Sequence, residues 1–68
     1  MALNWDAVYE VAMELRRVHP QIDLHEVTLG DVYQWTIALP GFEDDPALSN
    51  DDILASIYQE WYEVTIHD

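Results

Sequence analysis

Cysteine is missing from this 68-residue chain, and so is lysine. Without cysteine there are no disulfides, no thiolate zinc site, no cysteine-held iron–sulphur cluster and no cysteine nucleophile. Without lysine there is no Walker-type phosphate loop and no lysine Schiff base. The only bases are Arg16 and Arg17, against fourteen acids, for a formal charge of −12. Nucleic-acid binding by phosphate neutralisation needs a basic face, so it is excluded. Anionic membranes are disfavoured for the same reason. Such a chain attracts cations and basic protein surfaces. No apolar run exceeds three residues and Met1–Trp5 carries no positive charge. Neither a signal peptide nor a transmembrane helix is expected, which predicts a soluble, cytoplasmic protein.

What is present argues for folding. Half the residues are hydrophobic, and they recur at helical spacing, unlike those of a disordered acidic chain. Trp5, Val8, Ala12, Leu15 and Val18 step by three and four along a first helix. Asn4 is its expected cap and Pro20 its limit. Asp23 and Glu26 have capping-box spacing and predict one turn of helix. Thr28-Leu29-Gly30 reads as a turn, with Thr28 and Asp31 repeating the capping spacing. Leu29, Val32, Trp35 and Leu39 mark the next helix, Asp31 to Leu39, which Pro40-Gly41 ends. After an acidic loop, Ser49 is the expected cap of a last helix. Its stripe is Ile53, Leu54, Ile57, Tyr58 and Trp61, with Asp51 and Asp52 in the first turn, where the helix dipole favours negative charge. The expectation is one acidic helical domain over residues 1–68, with Thr65 to Asp68 a frayed tail. At most Val27-Thr28 forms a short bridge. Trp5, Trp35 and Trp61 each fall on an apolar stripe, which points to core packing rather than an aromatic platform.

The short helix, turn and second helix resemble a helix-turn-helix. A DNA-reading helix carries Arg, Lys, Asn or Gln toward base edges. This one offers Asp31 and a single Gln34, so the shape would persist without the function.

The acids are patterned. Asp6, Glu10 and Glu14 fall four apart on one helical stripe, where like charges repel, and Arg17 relieves one end only. Glu43, Asp44, Asp45, Asp51 and Asp52 lie within ten residues. Carboxylates converging on one point suit hard cations: calcium, magnesium, manganese or ferrous iron. No EF-hand pattern occurs, and a solvated, helix-capping role is the plain alternative. His19, His25 and His67 show no Glu-x-x-His or His-Glu-x-x-His spacing and read as separate surface histidines. Ser49 and Ser56 are the only serines, with no nucleophile elbow and little room for a cleft, so no enzyme is expected. Glu10 and Asp44 are expected to be exposed, so that reversing either charge would cost little stability.

Phe42-Glu43-Asp44-Asp45-Pro46, followed by Ser49-Asn50 and Ile53-Leu54, resembles the IscX (YfhJ) family of bacterial iron–sulphur cluster assembly. Trp5, Glu10, Leu15, Pro20, Asp23, Val27, Asp31, Gln34-Trp35 and Trp61 extend the match without gaps. Ala7 stands where the family often has Asp, and Leu24 where it usually has Pro. The resemblance implies a mostly α, modified winged-helix fold without DNA binding. It implies a non-catalytic adaptor or regulator that binds the cysteine desulfurase (IscS) through an acidic face, on a basic surface also used by frataxin. It also implies weak ferrous iron binding. The acids that fit the family pattern as metal ligands are Asp6, Glu10, Asp31, Glu43, Asp44 and Asp45. The same six with Glu14, Asp51 and Asp52 make the partner-binding set. The alternatives are an iron donor and an acidic DNA mimic on a basic nucleic-acid site. The strong like charge predicts a monomer.

Overall fold

The computed structural model describes residues 2–66. Along them run α1 (Val8–Val18), a 3-10 turn (Leu24–Glu26), α2 (Leu29–Ile37), a second 3-10 turn (Pro46–Leu48) and α3 (Asp51–Ile66). The mostly α architecture of three helices and one short turn is present, with one further 3-10 turn in the acidic loop. No helix among the described residues is long and apolar enough to cross a membrane.

The helices pack chiefly as α1 on α3, with α2 closing against α3. Val11, Ala12 and Leu15 of α1, Val32 and Thr36 of α2, and Leu54, Ile57 and Trp61 of α3 supply the centre. Leu3, Trp5, Leu24 and Leu39 fill it from the connections. Leu15 and Ile57 are wholly buried. Burying such side chains stabilises by ~1.5–3 kcal/mol each.

The start of α1 departs from expectation. The helix begins at Val8, and its N-cap residue Ala7 has no side-chain cap bond. Asn4 instead closes a preceding turn: its Oδ1 accepts from the N–H groups of Asp6 (2.9 Å) and Ala7 (3.0 Å). Trp5 is thereby held outside the helix yet fully in the core. Val18, at the other end, is exposed. Val11, Ala12 and Leu15 carry the buried face, with half-buried Val8 packed against it, so the expected stripe holds through Leu15, gains Val11 and stops short of Val18.

Thr28 caps α2 with a complete capping box. Its hydroxyl accepts from Asp31 N–H and the Asp31 carboxylate accepts from Thr28 N–H, both at 3.1 Å. Leu29 and Gly30 are therefore helical rather than a turn, and α2 starts two residues early. The 3-10 turn before it forms as expected, with Asp23 accepting from His25 N–H at 3.0 Å. At α3 the cap is Asn50, not Ser49: its Oδ1 accepts from Ile53 N–H at 2.9 Å. Ser49 closes the preceding 3-10 turn through its own N–H to the Pro46 carbonyl. Asp51 and Asp52 lie in the first turn of α3 as expected. The helix runs on to Ile66, with the Thr65 hydroxyl donating to the Trp61 carbonyl (2.8 Å). Thr65 and Ile66 are thus helical rather than frayed, and His67 and Asp68 lie outside the described residues.

The β-bridge is not at Val27-Thr28. It joins Leu3 to Phe42 in parallel, through Leu3 N–H to the Gly41 carbonyl (2.7 Å) and Glu43 N–H to the Leu3 carbonyl (2.8 Å). This bridge ties the N-terminal segment to the start of the acidic loop.

Candidate functional site

Trp5 organises the acidic loop. Its indole N–H donates to the Asp45 carbonyl at 2.8 Å, and its backbone N–H donates to Asp44 Oδ2 at 3.1 Å. Its ring meets Phe42 edge-on at 4.8 Å and stacks near Tyr33 at 6.2 Å. With the Leu3–Phe42 bridge, these contacts hold residues 42–45 against the turn that carries Asp6. A buried aromatic with one polar atom tends to place that atom on a partner. Here the partner is the loop that bears the charge.

Two loop acids are engaged by backbone. Asp44 is half-buried; besides Trp5 N–H it accepts from Asp45 N–H at 2.8 Å. Asp45 Oδ1 accepts from Ala47 N–H at 2.9 Å and opens the Pro46–Leu48 turn. The expected free exposure of Asp44 is corrected accordingly: a lysine there would lose both backbone donors their acceptor.

The exposed acids of this edge are Asp6, Glu10, Glu43, Asp51 and Asp52. Glu10 and Glu14 share a cleft of about 330 Å³ with Leu3, Tyr9, Met13 and Gly41, which sets them beside the bridged segment that leads into Glu43. Asp52 shares a second hollow with Val8 and Glu60, between the start of α1 and α3. The structure therefore gathers Asp6, Glu10, Glu14, Glu43, Asp44 and Asp45 around the Leu3–Phe42 bridge, with Asp51 and Asp52 on the flank. Asp31 is engaged in the capping box: the hydrogen bonds of its side chain and N–H run to Thr28, at the start of α2.

Glu14 differs electrically from its neighbours. Arg17 donates to it from Nε (3.2 Å to each oxygen) and from a terminal nitrogen (2.8 Å). This hydrogen bonding, with a smaller Coulombic part, holds the Glu14 carboxyl below the usual range and raises Arg17.

Among the described residues no three His, Asp or Glu side chains lie together as a cation cage. The carboxylates are spread along an edge rather than converging. His19 packs its ring on Trp35 (4.7 Å) and His25 lies edge-on to Tyr62 (6.1 Å), so the two histidines meet different partners. His67 lies outside the described residues. Trp5 and Trp61 are core residues and Trp35 is half-buried. The fastening role of Trp5 and the contribution of Tyr9 and Met13 to the Glu10 cleft have no signature in periodicity.

A sequence model described as iron–sulphur cluster assembly matches residues 3–65. A Pseudomonas aeruginosa protein described as uncharacterised is 36% identical over 63 residues, covering 93% of this chain and 96% of its own. The matched span takes in the bridge, the three helices and every acid of the gathered edge, and the chain belongs to the iron–sulphur cluster assembly family, that of IscX.

Proposed function

We propose that the chain is a non-catalytic adaptor and regulator of iron–sulphur cluster assembly. It docks its acidic edge on a basic surface of the cysteine desulfurase, in competition with frataxin, and holds ferrous iron loosely. The observation that carries this reading is the fastening of the acidic loop to the Trp5 turn. It turns acids scattered through the sequence into one preorganised edge, and a preorganised charged edge favours specific electrostatic docking. Carboxylates spread along an edge suit loose iron association rather than a cage, and an iron donor remains the alternative on the same surface.

Binding to the desulfurase, measured by calorimetry with and without ferrous iron, tests the reading. Glu10→Lys and Glu43→Lys reverse charge at exposed positions without touching a backbone cap. Each is expected to weaken docking and to change stability by only ~0.5 kcal/mol. Glu63→Lys, near the end of α3, makes the same change of net charge away from the edge and is expected to matter less. Equal weakening by all three would leave net charge as the whole effect and remove the edge from the account. Frataxin added in excess should displace the wild-type chain. Saturable competition with duplex DNA for a third protein's basic site would instead favour the DNA-mimic reading.

A further inference from the structure

A second feature is a cleft between the first 3-10 turn and α2. It measures about 360 Å³ and is lined by Gln21, Ile22, Asp23, Glu26, Val27 and Trp35. None of the nine acids assigned above to docking or iron lines it. Its composition is that of a site for a cationic side chain: one half-buried indole, two short aliphatic walls, an amide and two exposed carboxylates. Trp35 is held in place from behind, by the His19 ring at 4.7 Å and by Trp61 at 6.1 Å and 80°. Asp23 uses Oδ1 to cap the 3-10 turn, which fixes its carboxylate at the rim. Among the described residues Glu26 accepts no hydrogen bond and no base lines the cleft.

We infer that this cleft takes an arginine side chain from a basic protein segment, the guanidinium lying on Trp35 and bonding Glu26 and Asp23. The commitment to arginine follows from the lining. A planar guanidinium stacks on an indole and meets carboxylates through a fixed fork, whereas an ammonium is a strongly hydrated point charge. The aliphatic stem would cover Ile22 and Val27. The site stands apart from the adaptor reading, because a chain that failed to dock by the Trp5 edge would still carry it.

The test uses the whole chain and two capped peptides, Gly-Arg-Gly and Gly-Lys-Gly, titrated at low salt and followed by NMR. The expected result is a saturable shift of the Trp35 indole N–H and the Ile22 and Val27 methyls. The arginine peptide should bind about two- to fivefold tighter than the lysine peptide, because only the planar guanidinium both stacks on the indole and forks to the carboxylates. Glu26→Gln should weaken the arginine peptide more than Glu60→Gln, which removes the same charge from the hollow on α3. Trp35→Phe should erase most of the preference for arginine; should that variant unfold, the comparison of Glu26 with Glu60 decides alone. Shifts spread evenly over the acidic surface, shifts centred on Glu10 and Glu43, or equal losses in Glu26→Gln and Glu60→Gln would each overturn the inference.

Discussion

At the scale of single residues, one buried hydroxyl and one exposed ion pair give opposite lessons. Thr36 is wholly buried in α2 and its Oγ1 has no hydrogen-bond partner among the described residues. Burying an unsatisfied hydroxyl costs ~1–3 kcal/mol. Thr36→Val keeps the shape and removes the hydroxyl, so it should stabilise by ~1 kcal/mol. For a domain of this size that is a rise in thermal midpoint of about 4–8 °C. A fall would mean that the hydroxyl bonds back to a carbonyl one turn earlier in the helix. Glu14 is only partly covered, and its pairing with Arg17 is read in titration rather than in stability. The folded carboxyl titrates below the ordinary glutamate value, about 4.3, because the charged form accepts the Arg17 hydrogen bonds. Its contribution to stability is complete above the unfolded-state pKa and disappears as pH falls through the lower folded value. Carboxyl-carbon NMR should place the Glu14 midpoint lower in the wild type than in Arg17→Gln, which should return it to the ordinary glutamate range. An unmoved midpoint would mean that the pair is not populated in solution.

At the scale of elements, the acidic loop is held by its tertiary bonds more than by any local propensity. Trp5→Phe removes the indole donor to the Asp45 carbonyl and part of a buried ring. Loss of one hydrogen bond and some packing should destabilise by ~1–3 kcal/mol, measured by urea unfolding. Asp44→Lys leaves two backbone N–H groups without their acceptor and should cost ~1–2 kcal/mol, against ~0.5 kcal/mol or less for Glu43→Lys. Equal costs at 43 and 44 would mean that the Trp5–Asp44 bond is not made. The same elements show what was legible beforehand. The three helices could be read because Val8, Ala12 and Leu15, then Leu29, Val32 and Trp35, then Leu54, Ile57 and Trp61 recur at helical spacing, and because Pro20 and Pro40 forbid continuation. Thr28 and Asp31 were legible as a box because both halves of it are local. Trp5 was not: its helical spacing to Val8 was real, but two bonds to residues some forty positions away outweigh a first turn of helix. Asn50 and Ser49 are equally good caps by type, and the choice falls to the Pro46–Leu48 turn, which takes up Ser49. The acids were legible as a set from composition. Which of them satisfy backbone donors, and which face solvent freely, depends on the loop's three-dimensional path and could not be read from spacing.

At the scale of the whole molecule, one charge distribution acts on two equilibria with opposite sign. Fourteen acids against two bases repel one another in the compact chain. Unfolding separates those charges, so screening should favour the folded state. The thermal midpoint is therefore expected to rise with added sodium chloride, and to rise more with magnesium at equal ionic strength, since divalent ions also bind carboxylates. The docking proposed above, on a basic desulfurase surface, is expected to respond the other way. Between ~50 and ~300 mM salt the Debye length shrinks from roughly 14 to 6 Å, so steering between the acidic edge and its partner weakens. The two measurements made on one preparation should cross: a more stable protein that binds less well. Glu43→Lys separates them further, because it relieves repulsion within the loop while reversing charge at the docking edge. It should lessen the salt dependence of both the midpoint and the affinity. A midpoint that ignores salt would show that the carboxylates stand too far apart to repel. An affinity that ignores salt, with binding intact, would move the contact from the acidic edge to an apolar surface, with the exposed Tyr9 above the Glu10 cleft as the first residue to substitute.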